Sequence, residues 1–229
     1  MKYVICTLVT VACLLATGCG SWKPFASNES GEEVTLLSDK DLTGWSAYLD
    51  DPAVKMEDVW SVEDGMLICK GEPLGYIYTD NKYTSYRLTL DWRWAPGTEP
   101  GNSGVLLRVN DEPRAIPRCI EAQLKSGSAG DLYGFHGMKI DGDADRKSMQ
   151  ENHELLGDMV GLKKMAAAEK EPGEWNRYEI VADGPKVTLK INGVLVNEAH
   201  DCDVVAGPIG LQSEGGEIHF RNIRLVPIQ

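Results

Sequence analysis

Short runs in which apolar and polar residues alternate follow one another along most of this chain, and turn signals separate them. Asp64-Gly65, Asp183-Gly184 and Asn192-Gly193 are dipeptides that favour tight hairpin turns. The runs recur roughly every 8–12 residues, as they do in all-β sandwiches. No internal repeat is visible. The pattern predicts an all-β fold, either a β-sandwich or a jelly roll.

The exception is an insertion over about residues 126–173, which opens with a glycine-rich stretch and continues through an acidic one. A loop of this length in a compact domain is uncommon and is usually functional, so we expect it to cover one face or rim of the sandwich. Within it, residues 151–170 are predicted to form a short helix, because apolar residues recur near helical spacing. These residues are Leu155, Leu156, Met159, Leu162 and Met165.

The N-terminus has the features of a bacterial export signal. The apolar run over residues 4–16 is shorter than the roughly 20 residues that a membrane-spanning helix needs. Small residues then lead to Cys19 in an order that resembles the lipobox of lipoproteins. We predict a signal peptide over residues 1–18, a lipidated Cys19 with a flexible tether over residues 19–33, and one domain over residues 34–229. Ordinary secretion is the alternative.

The predicted location is therefore the cell envelope, with the protein anchored by its lipid. The residue after Cys19 is Gly20 and not Asp, which favours the outer membrane over the inner one. The formal net charge of −12 and the pI of about 4.8 argue against a nucleic-acid partner, since phosphate binding needs a basic surface. The lipid is then the only expected contact with a membrane.

Three cysteines remain in the predicted mature domain, namely Cys69, Cys119 and Cys202. In a compartment that permits disulfides, they could form one bridge and leave one free thiol, or all three could be buried and free. Their strand-like surroundings favour three buried, unpaired thiols. No CxxC motif indicates a structural zinc site.

Two predicted strands carry a polar face. Residues 118–125 place Ile120, Ala122 and Leu124 on one side and Glu121, Gln123 and Lys125 on the other. Residues 87–94 place Leu88, Leu90, Trp92 and Trp94 on one side, which favours a core position for Trp94 over a role in stacking on a ligand. The other side of that strand carries Arg87, Thr89, Asp91 and Arg93. If the two strands lie side by side, their polar faces form either a solvated surface or a ligand-binding floor.

Several longer segments resemble the 3-keto-disaccharide hydrolase family. They include DGMLICKG, GNSGVLLR, CIEAQLKSGSAGDLYG, PGEWNRYEIV and GPIGLQSEGGEIHFRNIRL, in the order of the family, over about residues 35–229. The resemblance implies a jelly-roll β-sandwich like those of concanavalin and laminin G domains. It also implies a secreted or lipid-anchored enzyme whose partners are glucosides or disaccharides oxidised at C3.

The implied chemistry follows from the ketone. A ketone at C3 acidifies the hydrogen on C2, so that a base can remove it, the C1 substituent is expelled and water adds back. Such a site needs a base, a donor for the enolate oxygen and polar groups for hydroxyls.

The resemblance and the polar faces suggest three catalytic candidates. Glu121 is the candidate base or metal-supporting carboxylate, and an exposed strand carboxylate is its alternative. Arg108 could stabilise the enolate as a fixed cation, or could form a surface ion pair with Glu121 or Asp91. His136 could transfer a proton or bind a metal, or could be a loop residue without a role.

The candidates for substrate binding lie on the same strands, in the GNSG turn or in the glycine-rich loop. For each of them a solvated strand end or a turn cap is the structural alternative. They are Asp91, Arg93, Asn102, Ser103, Gln123, Lys125, Asp131, Gln212 and Glu214.

No cofactor is certain from the sequence, although a divalent metal, calcium or a transition metal, stays open. Asp141, Asp143 and Asp145 are weak candidate ligands, because they lack the glycine and the downstream glutamate of an EF-hand loop. A solvated acidic loop is the alternative. For the function as a whole, the alternative is a non-catalytic carbohydrate-binding lipoprotein, but aromatic residues make up only 7% of the chain.

Overall fold

The computed structural model describes residues 31–228 as two packed antiparallel sheets with one short α-helix, α1 (Met56–Val59). The strands in chain order are β1 (Val34–Thr35), β2 (Trp45–Leu49), β3 (Trp60–Glu63), β4 (Met66–Cys69), β5 (Gly75–Thr79), β6 (Tyr86–Trp94), β7 (Gly104–Asn110), β8 (Arg118–Gln123), β9 (Leu132–Gly134), β10 (Lys147–His153), β11 (Gly157–Leu162), β12 (Asn176–Asp183), β13 (Lys186–Ile191), β14 (Val194–Ala199), β15 (Gly210–Ser213) and β16 (Ile218–Pro227).

The first sheet has the order β14-β13-β12-β6-β16-β4-β3, with β1 paired to β16. The second sheet has the order β10-β11-β9-β8-β7-β15-β5-β2. Neighbours in space are often distant in the chain, as expected for a jelly roll. The prediction of an all-β jelly-roll sandwich is confirmed.

The main core lies between the sheets and is rich in aromatic residues. Trp60, Trp92, Trp94 and Phe220 are each at most 1% exposed and belong to one apolar cluster. Complete burial of a large apolar side chain contributes about 1.5–3 kcal/mol. The core position predicted for Trp94 is confirmed.

A second, smaller apolar cluster lies on the outer face of the second sheet. Its buried members are Tyr76, Leu106, Val109, Ile116, Cys119 and Phe135. A sheet face that is polar at some positions and carries a buried apolar cluster at others differs from an ordinary solvated face. This cluster underlies the cavity described below.

The two polar strand faces predicted from the sequence do not meet. β6 lies in the first sheet and β8 in the second, so their polar residues point away from the core in opposite directions. Asp91 accepts from Asn222 Nδ2 at 2.7 Å and pairs with Arg177, while Arg93 lies 4.5 Å over the ring of Trp175. The prediction that Asp91 and Arg93 share a floor with Glu121 is therefore wrong.

The predicted helix within the insertion is also wrong. Residues 147–162 form the hairpin β10–β11, which extends the second sheet beyond β9. On either side of its turn, Asn152 near the end of β10 and Gly157 at the start of β11 both have a positive φ. Gly161 packs so closely against Tyr133 that a Cβ would not fit, which is a reason for glycine in this strand. Of the apolar residues that suggested helical spacing, Leu155 and Leu156 lie in the turn, Met159 and Leu162 lie in β11, and Met165 follows that strand. The hairpin thus widens the second sheet, and its residues Leu156 and Met159 pack against the apolar cluster of the outer face.

Cys69, Cys119 and Cys202 are all free and buried, which confirms the favoured prediction. Burial raises the pKa of the Cys69 thiol to about 12 and that of Cys202 to about 11, so both stay protonated at neutral pH.

The predicted signal peptide and Cys19 lie outside residues 31–228. Within the described residues, no helix has the length and apolar character needed to cross a membrane.

Candidate active site

A cavity of about 250 Å³ opens on the outer face of the second sheet, above β15, β7, β8 and β9. Its polar lining consists of Asn102, Glu121, Gln123, Lys125, Gln212 and Glu214. Its apolar lining consists of Ile116, Tyr133, Phe135, Leu156 and Met159. A few convergent polar groups on an apolar wall are typical of a site for a small ligand. A wider depression along β2 has Asp51 as its only lining carboxylate.

The register of the strands and one glycine create the room for Glu121. Across the sheet, Leu106 of β7, Glu121 of β8 and Tyr133 of β9 stand opposite one another. Gly104 lies beside them, and a Cβ at this position would overlap the Glu121 carboxylate. The GNSG turn therefore leads into a strand in which glycine is needed for the approach of a side chain.

Glu121 is a buried acid without a cationic partner among the described contacts. Its side chain is 2% exposed and accepts a hydrogen bond from Gln123 Nε2 at 3.3 Å. Burial, and then the nearby Glu214 carboxylate, raise the pKa of Glu121 well above its usual range. This acid therefore holds a proton at pH values at which ordinary glutamates have lost theirs.

Gln123 fixes the orientation of that acid. Its Oε1 accepts from the backbone N–H groups of Leu124 at 2.9 Å and Lys125 at 2.8 Å, so its amide nitrogen must face Glu121. Glu121 Oε2 is consequently the oxygen that accepts from Gln123. A proton on Glu121 is best placed on Oε1, since the amide nitrogen donates and does not accept.

Glu214 is the second acid of the cavity and is more exposed than Glu121. Burial raises its pKa, whereas a hydrogen bond from Asn102 and the charge of Lys125 act in the opposite direction. Because Glu121 is more deeply buried and no cation lowers its pKa as Lys125 lowers that of Glu214, Glu214 loses its proton first as the pH rises. The pair thus supplies one carboxylate and one carboxylic acid over an intermediate pH range.

Two amide oxygens that line the cavity accept no hydrogen bond. Gln212 is 1% exposed, and within residues 31–228 neither its Oε1 nor the Oδ1 of Asn102 has a hydrogen-bond partner. A buried acceptor without a partner costs about 1–3 kcal/mol. Hydroxyl groups of a bound ligand would satisfy both oxygens.

The structure thus brings together six of the predicted site residues and gives supporting positions to two others. Ser103 is fully buried and its Oγ donates to the Gln212 carbonyl at 2.8 Å, which holds β15 in place. Asp131 accepts from Lys163 Nζ and from the backbone N–H of Lys164, both at 2.8 Å. It also accepts from the hydroxyl of Tyr133 at 3.3 Å, so it anchors the wall of the cavity.

Arg108 does not line the cavity, and its predicted catalytic position is wrong. A bulge after Leu107 gives Arg108 a φ of 55°. The fully buried guanidinium donates to the carbonyls of Thr84, Gly184 and Asp203, the last two at 2.6 Å. It therefore joins three loops instead of facing a ligand or pairing with Glu121 or Asp91.

His136 lies behind the cavity and not in it. Arg114 can only donate, so the 3.4 Å contact makes His136 Nδ1 an acceptor and leaves Nε2–H to donate to the Ile116 carbonyl at 2.9 Å. Burial and the Arg114 charge lower its pKa, which keeps the ring neutral at pH 7. The predicted role in proton transfer lacks the geometry, and His136 instead holds the loop that contains Ile116.

The three aspartates of the acidic segment do not converge. Asp141 pairs with Lys147 at 2.8 Å, and Asp143 caps the backbone N–H of Asp145 at 3.0 Å. In the part of the chain that the structure describes, no group of three or more His, Cys, Asp or Glu side chains could hold a metal ion.

The sequence reasoning missed the apolar wall of the cavity. Tyr133 and Phe135 stack with their ring centroids 5.9 Å apart, and Leu156 and Met159 come from the β10–β11 hairpin. The signal for this wall in the sequence was the spacing of Tyr133 and Phe135, which are two residues apart and would share one face of a strand.

A family model described as a 3-keto-alpha-glucoside-1,2-lyase-like domain matches residues 32–226. The chain belongs to this family. The resemblance inferred from the sequence motifs is thereby confirmed, and the chain is a carbohydrate-active domain of the glycosyl-hydrolase type. The cavity lies on strands of the 3-keto-alpha-glucoside-1,2-lyase-like domain that carry the GNSG, CIEAQLK and GLQSEGG motifs.

Solved structures share the fold of this domain. A candidate glycosyl hydrolase from Parabacteroides distasonis ATCC 8503 superposes with a TM-score of 0.62 at 20% identity, covering 87% of this chain and 94% of that one. A second one from the same organism has a TM-score of 0.60 at 23% identity, covering 86% and 100%. Carbohydrate-binding module CBM66 from Bacillus subtilis has a TM-score of 0.55 at 13% identity, covering 80% and 95%. The comparison with curated proteins finds no match.

Proposed function

We propose that this protein cleaves the glycosidic bond of 3-keto-glucosides by removal of the C2 proton, 1,2-elimination and hydration. One observation carries the proposal, namely that two acids with raised pKa values, Glu121 and Glu214, line one cavity that also presents unpartnered amide oxygens. Membership of the family supports the choice of a 3-keto-glucoside as the substrate.

The reaction needs one ionised base and one proton donor in the same site. Because Glu214 loses its proton first, we assign it as the base that removes the C2 proton. Protonated Glu121 donates a hydrogen bond to the ketone oxygen as negative charge develops there. A carboxylic acid kept neutral by burial is an effective enolate donor. This assignment reverses the expectation from the sequence that Glu121 is the base, because burial strengthens its hold on the proton.

Glu214 takes the C2 proton, and the C–H electron pair forms the enolate across C2 and C3. As the ketone re-forms, a C1–C2 double bond forms and the C1–O bond breaks. The leaving oxygen takes the proton from Glu214 and departs as the aglycone alcohol. Water then adds its oxygen to C1 and a proton to C2, so the net reaction is hydrolysis. General acid–base catalysis of this kind contributes about 10²–10⁴ in rate.

The decisive experiment compares a 3-keto-glucoside with the same glucoside in its unoxidised form. We expect the purified protein to release the aglycone only from the oxidised substrate. Parallel reactions with EDTA, with Ca²⁺ and with a transition metal establish whether a divalent ion takes part. Equal cleavage of both substrates would point to ordinary two-carboxylate glycoside hydrolysis. Binding of the oxidised sugar without release would identify a non-catalytic carbohydrate-binding lipoprotein, and either result contradicts the proposal.

We also propose that the protein acts in the cell envelope, held by a lipid on Cys19. The motif before Cys19 and the tether that follows support this location. Mass spectrometry of the mature N-terminus is expected to find a lipidated cysteine. The Cys19→Ala variant is expected to lose the lipid and to leave the membrane fraction.

A further inference from the structure

The strand β10 lies at one end of the second sheet, and in the described part of the chain it pairs with β11 alone. Five consecutive residues of this strand, 148–152, are exposed. The free N–H and C=O groups of an edge strand form a template for pairing with another strand. Proteins usually protect such an edge with a proline, with a charge or with a covering segment.

The end strand of the first sheet, β14, shows how an edge of this domain is protected. The backbone N–H of Met165 donates to the Val196 carbonyl at 2.7 Å, and Arg146 donates to Asn197 Oδ1 at 2.7 Å. The edge of β10 is different. It contains no proline, and the charge of its lysine, Lys147, is balanced by Asp141 at 2.8 Å. The edge that most needs cover is therefore that of β10.

The sequence of β10 complements itself when two copies run antiparallel. If Met149 of both copies lies on a two-fold axis, Ser148 stands opposite Gln150 of the second copy, and Lys147 stands opposite Glu151. Opposite charges in such cross-strand positions stabilise a sheet. The pairing of β10 with β11 is regular from Lys147 to Gln150, so the axis falls in an undistorted part of the strand.

The side chain of Met149 gives this edge an apolar centre. It is 67% exposed, the largest value among the exposed large hydrophobic side chains of the described residues. Its partner in the hairpin, Val160, packs against the main core, so Met149 continues the inner face of the second sheet beyond the last strand. A second Met149 across the axis would cover this surface, because directly opposite residues have Cβ atoms about 4.5–5.5 Å apart.

We propose that β10 is a dimer interface that binds β10 of a second copy of this chain. The two second sheets then join into one antiparallel sheet, and the interface is isologous. This inference goes beyond the proposed function and does not rest on it. A two-fold axis perpendicular to the joined sheet leaves both Glu121 cavities open on the same side. It places both first sheets, with β1 at the start of each described chain, on the opposite side, so both predicted tethers can reach one membrane.

The interface lies one strand away from the cavity wall. The strand β11 supplies Met159 to that wall, and the turn of the hairpin supplies Leu156. A second copy that holds β10 therefore also restrains these two residues.

Sedimentation velocity of the purified protein over a range of concentrations tests the proposal without any substrate. One strand pair is a small interface, so we expect a weak, concentration-dependent dimer. Glu151→Lys places two lysines opposite each other, and Met149→Glu places two carboxylates on the axis. Both residues are exposed, so the monomer should fold, and each substitution should raise the Kd of the dimer about tenfold.

The matched control is Glu154→Lys, which makes the same charge change at an exposed position in the turn of the hairpin. This variant should dimerise like the wild type. A wild-type protein that stays monomeric at every concentration would overturn the proposal. A dimer that neither Glu151→Lys nor Met149→Glu weakens would also overturn it, because its interface would lie elsewhere.

A cross-linking experiment tests the register. Cys69, Cys119 and Cys202 are buried, so Met149→Cys adds an accessible thiol to the described part of the chain. Two cysteines opposite each other on the axis are close enough for a disulfide after a small adjustment. We expect air oxidation to give a disulfide-linked dimer of Met149→Cys on a non-reducing gel, and little of it for the Glu154→Cys control. Equal cross-linking of the two variants would contradict the proposed register.

Discussion

Replacing Glu121 by glutamine tests the proton donor with little change in shape. Gln123 donates to the Oε2 position of Glu121, so the carbonyl of the new amide must face Gln123 and its NH₂ must face the cavity. A weaker donor to the enolate oxygen therefore remains. Loss of one good donor costs about 10²–10³ in kcat, and we expect Glu121→Gln to lie at the lower end, near a hundredfold. Glu121→Ala, which leaves no donor, should lie at the upper end.

The pH dependence gives the same test a second readout. In the wild type, kcat should rise as Glu214 ionises and fall as Glu121 loses its proton, because the pKa of Glu121 is the more strongly raised of the two. Glu121→Gln removes the fall on the alkaline side. Steady-state rates across the pH range measure this, with the exposed Glu63→Gln as the matched control. A Glu121→Gln enzyme with the full rate and an unchanged alkaline limb would refute the assignment.

The same substitution makes a prediction for stability. Burial raises the folded-state pKa of Glu121, so its contribution to stability is fully present below the unfolded pKa and is lost as the pH rises through the folded pKa. Glu121→Gln should remove this loss. The free energy of unfolding of the variant, relative to that of the wild type, should therefore be higher at neutral and alkaline pH than at pH 4. Urea unfolding of both proteins at pH 4 and at neutral pH measures the difference.

Three other substitutions test separate parts of the account. Glu214→Gln should lower kcat by about 10²–10⁴ and abolish its rise on the acidic side, and retention of that rise in rate measurements would exclude Glu214 as the base. Gly104→Ala should lower kcat about 10²-fold by displacing the Glu121 carboxyl, and a crystal structure with Glu121 unmoved would contradict this reason. Arg108→Met should lower the free energy of unfolding, measured in urea, by about 3–5 kcal/mol, because three carbonyls lose their donor. The kcat per folded molecule should stay unchanged. A large fall in kcat would restore Arg108 as a catalytic candidate.

Alternation along a strand predicted much of the site. Because Ile120 and Ala122 had to face a core, Glu121 and Gln123 had to face outward, and the structure bears this out. The same reasoning could not tell which sheet a strand enters. Asp91 and Arg93 alternate equally well, yet β6 pairs with β12 and β16 on the other side of the sandwich.

Local backbone changes limited the sequence reasoning elsewhere. Arg108 would continue the outward phase of Leu106, but the bulge after Leu107 turns its guanidinium towards three loop carbonyls. A bulge in a strand leaves only a weak trace in a sequence. Leu155, Leu156 and Met159 fit a helix as well as the turn and strand of a hairpin, since short apolar runs are ambiguous in period. The pairing of β11 with β9 in the tertiary structure favoured the hairpin over the helix.

The central claim is that catalysis begins with removal of the C2 proton. Its most direct test is cleavage of a 3-keto-glucoside by the wild-type protein in D₂O, with the product followed by NMR. Elimination and hydration predict deuterium at C2 of the released 3-keto sugar, because water supplies the returning proton. Release of the aglycone with the original hydrogen fully retained at C2 would contradict the mechanism.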